Sequence, residues 1–338
     1  MHKSSNKGFY LQFNEGSLFA AKTSRLQPPF VIEALGSHAF SSVEEAREWV
    51  RVFMSLKRGH MCSSVCSILP ASRFILRVSL ENPAKAKSPE FFPEFLKKQH
   101  DIDVEFNSVA VINANDGSEF SVEKGFSRDL VFCGGKTQEI QDLQNQLVDM
   151  SVYPERMELL TVSLLGGLCD YSSFTDSKDP SLLIEIAPTS SNVLVVHDGK
   201  VDLARSIPHG LNSMYPIMQK ELGLKDEASV HKLFTSNTFD FTEMGSVLLG
   251  KLLKEIQASA GYYEVQTGQT INHVYIGSLP QNLHWIPDTL AKTLGFKVFK
   301  PDFEKWLEHQ SIEVSSTIDL SQFGSEWFGL FSLMGTYS

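Results

Sequence analysis

The sequence predicts an α/β protein of two lobes, on three observations. Short strand-like runs alternate with amphipathic helical runs along nearly the whole chain. The order β-β-β-α occurs twice, about half a chain apart, which reads as an internal duplication. At 338 residues, with 42% hydrophobic and 21% charged side chains, the chain can bury a separate core in each lobe.

The first copy begins with residues 9–13 (FYLQF) and 18–22 (LFAAK), two strands joined by the short turn Asn14-Glu15-Gly16-Ser17. Residues 31–34 offer a third strand after the breaker Pro28-Pro29. A helix follows with clear start chemistry: Ser42 is the N-cap and Glu45, three positions on, completes a capping box. Val43, Ala46, Val50 and Phe53 fall on one face, and Glu44, Arg47, Glu48 and Arg51 on the other.

The second copy is residues 181–210, SLLIEIAPTSSNVLVVHDGKVDLARSIPHG. Residues 182–186 are apolar and β-branched, and the turn from Ala187 to Ser191 leads into a second strand at 192–196. Asp198-Gly199 is a strong type I′ hairpin signal, because both central positions of that turn need φ > 0. Residues 201–207 close the meander, and a helix at 212–222 carries Leu211, Met214, Met218 and Leu222 on one face. Glu185, an acid at the end of a buried strand followed by the hydroxyls Thr189, Ser190 and Ser191, is a candidate phosphate-binding turn. The plainer account is a carboxylate satisfied by its neighbours and hydroxyls bonded to local backbone. His209, at the exit of the meander, reads as a capping or core histidine rather than a proton carrier.

Between the copies lies a small α+β insert. Residues 73–80 read as a strand, 90–100 as a helix with Phe91, Phe95 and Leu96 inward, 108–112 and 130–133 as strands, and 137–150 as a helix. Asn115-Asp116-Gly117-Ser118 has a calcium-loop flavour, but Gly117 comes one place early, so it reads as a hairpin. Gly134-Gly135-Lys136-Thr137 is not a P-loop, since Leu130 holds the place of the first glycine; it reads as a strand-to-helix connection. After the second copy, 244–263 is a long apolar-striped helix, 273–277 (HVYIG) a buried strand, 287–295 a helix with a Gly C-cap, 296–299 a strand, and 326–334 (EWFGLFSLM) an apolar terminal helix packed on the second lobe.

The formal net charge of −10 argues against nucleic acid as the main partner. No apolar run reaches the roughly 18 residues that span a bilayer, and the polar opening MHKSSNK lacks a signal-peptide core, so the sequence predicts a soluble, cytoplasmic chain. Four scattered cysteines, Cys62, Cys66, Cys133 and Cys169, fit reduced thiols, and the pair after His60 lacks a second set at zinc-ligand spacing.

The ordered set of strings Gly261-Tyr262-Tyr263-Glu264-Val265-Gln266-Thr267-Gly268-Gln269, then 273–277, then 290–295, with 130–168 and 323–335, resembles the actin-like proteins of the PilM/FtsA type, particularly the PilM branch of type IV pilus platforms. The resemblance covers nearly the whole chain. It implies an actin-like (ribonuclease H-like, duplicated) α/β fold. The first lobe would comprise 8–70 and 151–180, the insert 71–150, the second lobe 181–212 and 270–338, and a further subdomain 213–269.

The resemblance also implies a nucleotide cleft with three loops, an Asp-x-Gly turn after the first strand of each lobe and a glycine-rich turn at the base. This sequence departs from all three, with Gln12-Phe13-Asn14, Glu185-Ile186-Ala187-Pro188 and Gly277-Ser278-Leu279-Pro280. Two prolines remove amide donors where phosphate would approach, and Leu279 adds bulk against the base. The expectation is a degenerate site with no ATPase activity and no required cofactor or metal. Any retained binding of ATP with Mg²⁺ would fall on Asn14, Glu15, Glu185, Thr189, Ser190, Gly277 and Ser278. The partner implied is the cytoplasmic tail of a PilN-like inner-membrane protein, with other platform proteins and self-association beside it, so that the chain would meet the membrane only indirectly. The rival readings are an active actin-like ATPase and the cytoplasmic module of a type II secretion platform protein.

Overall fold

In a computed structural model, residues 7–14, 16–27, 29–123, 125–236, 239–277, 279 and 283–335 are described. The first strand, β1 (Gly8–Asn14), is buried at every position, as a strand covered on both faces must be. It pairs antiparallel with β2 (Ser17–Thr23), and β2 pairs antiparallel with β3 (Phe30–Ala39). On its other side β1 runs parallel to β4 (Cys62–Ile68), which runs parallel to β8 (Val152–Leu159). The second lobe repeats this plan. Its fully buried β9 (Ser181–Ile186) pairs antiparallel with β10 (Ser191–His197), which pairs with β11 (Lys200–Ile207). On the other side β9 is parallel to β12 (His273–Ile276), then β13 (Lys297–Val298). The sheets read β3-β2-β1-β4-β8 and β11-β10-β9-β12-β13, so the duplication inferred from element order is real in the hydrogen bonding. A sixth strand, β14 (Ile312–Val314), adds to the edge of the first sheet beside β3, although it follows all the second-lobe strands in the chain.

Local chemistry explains the ends of these elements. In α1 (Val43–Phe53), the Ser42 hydroxyl accepts from the Glu45 amide, while the Glu45 carboxylate reaches past Ser42 to accept from the Ser41 amide. Asp198 and Gly199 take φ of 50° and 71°, the type I′ turn the sequence asked for between β10 and β11.

The insert is a three-stranded sheet, β5-β7-β6, of β5 (Phe74–Ser79), β7 (Asp129–Lys136) and β6 (Asn107–Asn113). The helix α2 (Phe91–His100) covers it, so Phe91, Phe92 and Phe95 pack around Phe132 as core. Gly134, Gly135 and Lys136 belong to β7 rather than to a connection: a Cβ on Gly134 would lie 2.1 Å from the Ser108 carbonyl, so glycine admits the close strand approach. Asp116 accepts from the Ser118 amide and hydroxyl, a local turn. No group of three or more metal-ligating side chains occurs among the described residues. The helix α3 (Thr137–Asp149) buries Leu147 in a core shared with Phe9, Leu11 and Val152 of the first sheet.

Two helices connect the lobes. The first, α4 (Leu160–Phe174), follows β8 and leads to β9. The last, α11 (Phe328–Met334), is buried at every position and packs on α4 and on β1, β2 and β4 of the first sheet rather than on the second lobe, which it meets through Phe328 against Tyr275 and Phe299. The Tyr215–Leu222 helix (α5) ends at Gly223, and α6 (Glu227–Thr235) follows it. The expected long helix divides at Leu249 into α7 (Gly245–Leu248) and α8 (Gly250–Thr267). The remaining helices are α9 (Trp285–Leu294), closed by Gly295 at φ 78°, and α10 (Phe303–His309). None of the helices among the described residues is long and apolar enough to cross a membrane.

Candidate functional site

Gln12 on β1 and Glu185 on β9 hold matching places in the two copies, each on the strand at the middle of its lobe's meander-plus-parallel arrangement. Both are buried, at 1% and 3% exposure. Each meets the first turn of a connecting helix. The Glu185 Oε1 accepts from Thr161 Oγ1 at 2.7 Å, at the start of α4. Gln12 lies against Gly329, at the start of α11, where a Cβ would come within 2.5 Å of its Oε1.

The second oxygen of Glu185 is taken by Arg73, which stands just ahead of β5. Its Nε donates to Oε2 at 3.2 Å, and both side chains are almost fully enclosed, at 4% and 3% exposure. In the sequence Arg73 is only the first residue of a strand-like run, and nothing in a lone arginine 112 residues from its partner announces the pairing. Across the first sheet, Gln12 is in register with Ser67, and Ser67 with Glu158, which makes a polar row under α4 and α11. Burial holds the Glu158 carboxyl above the usual glutamate range, and Arg156 and Ser163 only partly oppose this. Tyr275, buried on β12, is also pushed up, first by burial and then by the charges of Glu326 and Glu185.

Of the residues singled out for nucleotide, the structure brings Glu185 and Gly277 together: a Cβ on Gly277 would lie 3.3 Å from Glu185 Cγ, and the Gly277 amide donates to Ile184. Asn14 ends β1 opposite Ser17 in the hairpin. The turn holding Thr189 and Ser190 is closed by its own surroundings. The Ala187 amide donates to Ser190, and the Ala187 and Pro188 carbonyls accept from Leu211 and Asn212. A Cβ on Gly210 would sit 2.1 Å from the Ala187 carbonyl, so the following segment covers the turn closely. Ser191 Oγ donates to the His209 carbonyl, which makes His209 part of this closure. Glu15 and Ser278 lie outside the described residues.

A magnesium nucleotide needs carboxylates free to face the cation and amides free to face phosphate. The residues present do not fit it. The first lobe offers a neutral Gln12, and the only carboxylate of the pair, Glu185, is committed to a guanidinium and a hydroxyl. Pro188 supplies no amide, and the turn carbonyls are drawn inward.

No family model and no curated protein sequence matches the chain. In structure it is similar to a chain of the PilM–PilN type IV pilus biogenesis complex, with TM-score 0.68 and 11% identity over 97% of each chain. Weaker likenesses include a Bacteroides thetaiotaomicron protein with actin-like ATPase fold and unknown function (TM-score 0.42, 8% identity, 95% of each chain). Another is the cytoplasmic domain of EpsL, an inner-membrane component of the Vibrio cholerae type II secretion system (TM-score 0.40, 11% identity, 86% of this chain and 96% of that one). With the duplicated sheet order and the crossing helices, the chain has the actin-like two-lobe α/β fold, of the PilM kind.

Proposed function

We propose that this chain is a cytoplasmic actin-like scaffold of a type IV pilus or related secretion platform, which docks the cytoplasmic tail of a PilN-like inner-membrane protein and does not hydrolyse nucleotide. The observation that carries the non-enzymatic half is Glu185, whose two oxygens are held by Arg73 and Thr161. A carboxylate whose charge is already matched by a buried guanidinium is poorly suited to hold a metal ion beside it, because the cation would meet a like charge at close range. The docking half is supported by the likeness to PilM, whose solved structure is that of a complex with PilN.

Recognition of an extended tail suits this architecture. The first sheet ends at β8 on the side next to the insert's helix α3, and an open strand edge offers backbone donors and acceptors to an added strand. We assign the tail to the groove between the first lobe (8–70 and 151–180, with β14 added at its edge) and the insert (71–150), with the second-lobe sheet and the 213–269 subdomain left for self-association and for other platform proteins. Membrane attachment then runs through the partner.

The test is capture of the purified full chain by an immobilised peptide. The peptide is the cytoplasmic tail of a PilN-like inner-membrane protein encoded in the same genome. Saturable capture that is lost with a scrambled peptide supports the reading; absence of capture at high micromolar chain sinks the docking half.

A further inference from the structure

We propose that Arg73 is a built-in latch that holds the two lobes together in the place of a metal-bridged ligand, so that closure of the cleft is constitutive. The inference rests on the cleft geometry and stands apart from the docking of any tail.

Arg73 reaches from the insert, which is carried by the first lobe, to Glu185 on the central strand of the second lobe, and both side chains are enclosed. The guanidinium also donates through Nη1 to the Pro70 carbonyl at 3.2 Å, which fixes it to its own loop. That loop is fastened in turn. The Glu139 carboxylate on α3 accepts from the amides of Ala71 and Ser72, and Ser72 Oγ accepts from the Lys136 amide at 2.8 Å. The arginine is therefore presented by a rigid support rather than by a free side chain.

Four residues on, a second arginine repeats the reach. Arg77 Nε donates to the Val201 carbonyl of β11 at 2.7 Å, with Asp129 at 3.3 Å holding its other end. The Val201 amide donates to the Ala114 carbonyl of the insert at 3.1 Å. Three ties thus cross between the insert and the second lobe: one ion pair, one charged hydrogen bond and one backbone hydrogen bond.

In a cleft bridged by a metal and phosphates, the shared ligand supplies the attraction between lobes, and closure follows its concentration. Here the bridging positive charge is part of the chain, so its effective concentration is fixed. An incoming cation would have to displace the guanidinium and leave its buried charge without a carboxylate, held only by the Pro70 carbonyl, which opposes exchange. The lobes are held shut whether or not nucleotide is present.

Hydrogen exchange on the full chain, read at the Val201 amide and at the end of β9, tests this, with small-angle scattering beside it. In the wild type, Mg-ATP leaves exchange at these amides within about twofold. Arg73→Met speeds exchange at Val201 by at least about tenfold and enlarges the radius of gyration. Glu185→Gln, which keeps the shape and removes the charge, serves if the first variant folds poorly and shifts both readouts the same way. Unchanged exchange in the folded variants overturns the latch, and so does protection of the wild-type amides by Mg-ATP. Tail capture by the wild type, measured separately, reports on docking alone.

Discussion

Gly167 of α4 and Ser332 of α11 touch backbone to side chain where the two connecting helices cross: a Cβ on Gly167 would lie 2.0 Å from Ser332 Oγ and 2.7 Å from its Cβ. The crossing is the joint between the lobes, and only a residue without a side chain permits it at this spacing. Gly167→Ala is expected to destabilise by about 1–3 kcal/mol through overpacking, in spite of alanine's better helix propensity. Adding Ser332→Gly should recover part of the loss. Urea unfolding of the single and double variants checks this, and simple additivity would place the strain elsewhere.

Arg73 and Glu185 should behave as a buried pair. Removing either partner alone leaves the other buried and uncompensated, at a cost of about 3–5 kcal/mol. Replacing both with methionine should restore most of the stability, since apolar groups of similar volume need no partner. A double-mutant cycle in urea gives the coupling directly; additive losses would mean that the two side chains do not depend on each other.

Glu158 should leave a mark on the pH profile. Burial raises its carboxyl above the usual value of 4.5, so the folded state holds the proton more tightly than the unfolded state. Its contribution is therefore most favourable at low pH and is lost as pH rises from about 4.5 through the folded value. Glu158→Gln should remove that falling slope and gain relative stability at neutral pH. Melting temperatures across the acid range decide the matter, and an unchanged slope would contradict it.

The thiols should be inert. Burial pushes Cys62, Cys66 and Cys169 up to about 12 and Cys133 up to about 11. Because the thiolate is the reactive form, labelling at pH 8 should be at least about 100-fold slower than for a free cysteine, and all four should react once the chain is unfolded. Rapid labelling of one thiol in the native protein would show local opening there.

Much of this fold was legible because strong local signals carry it: the capping box at Ser42, the Asp198-Gly199 turn and the apolar, β-branched runs of β9 and β10 each act over a few residues. The unforeseen elements lack such signals. Strands β4 (CSSVCSI) and β8 (VYPERMEL) are too polar to read as parallel central or edge strands, and their place comes from register with β1 and with each other. Gly134 and Gly135 read as a break because glycine usually marks one, yet here they serve close strand contact. At the cleft, the replacement of an acid by Gln12 was visible in the sequence, whereas Arg73, Thr161 and Glu158 were not. Their roles arise from side chains that meet only after two lobes have folded around α4 and α11.

The claim most exposed to refutation is that the cleft is a structural joint and not a nucleotide site. Isothermal titration of Mg-ATP into the full chain tests it most directly. No saturable heat is expected in the micromolar range, for wild type and Gln12→Asp alike, because Glu185 stays bound to Arg73 in both. A stoichiometric isotherm with a micromolar Kd for the wild type would contradict it.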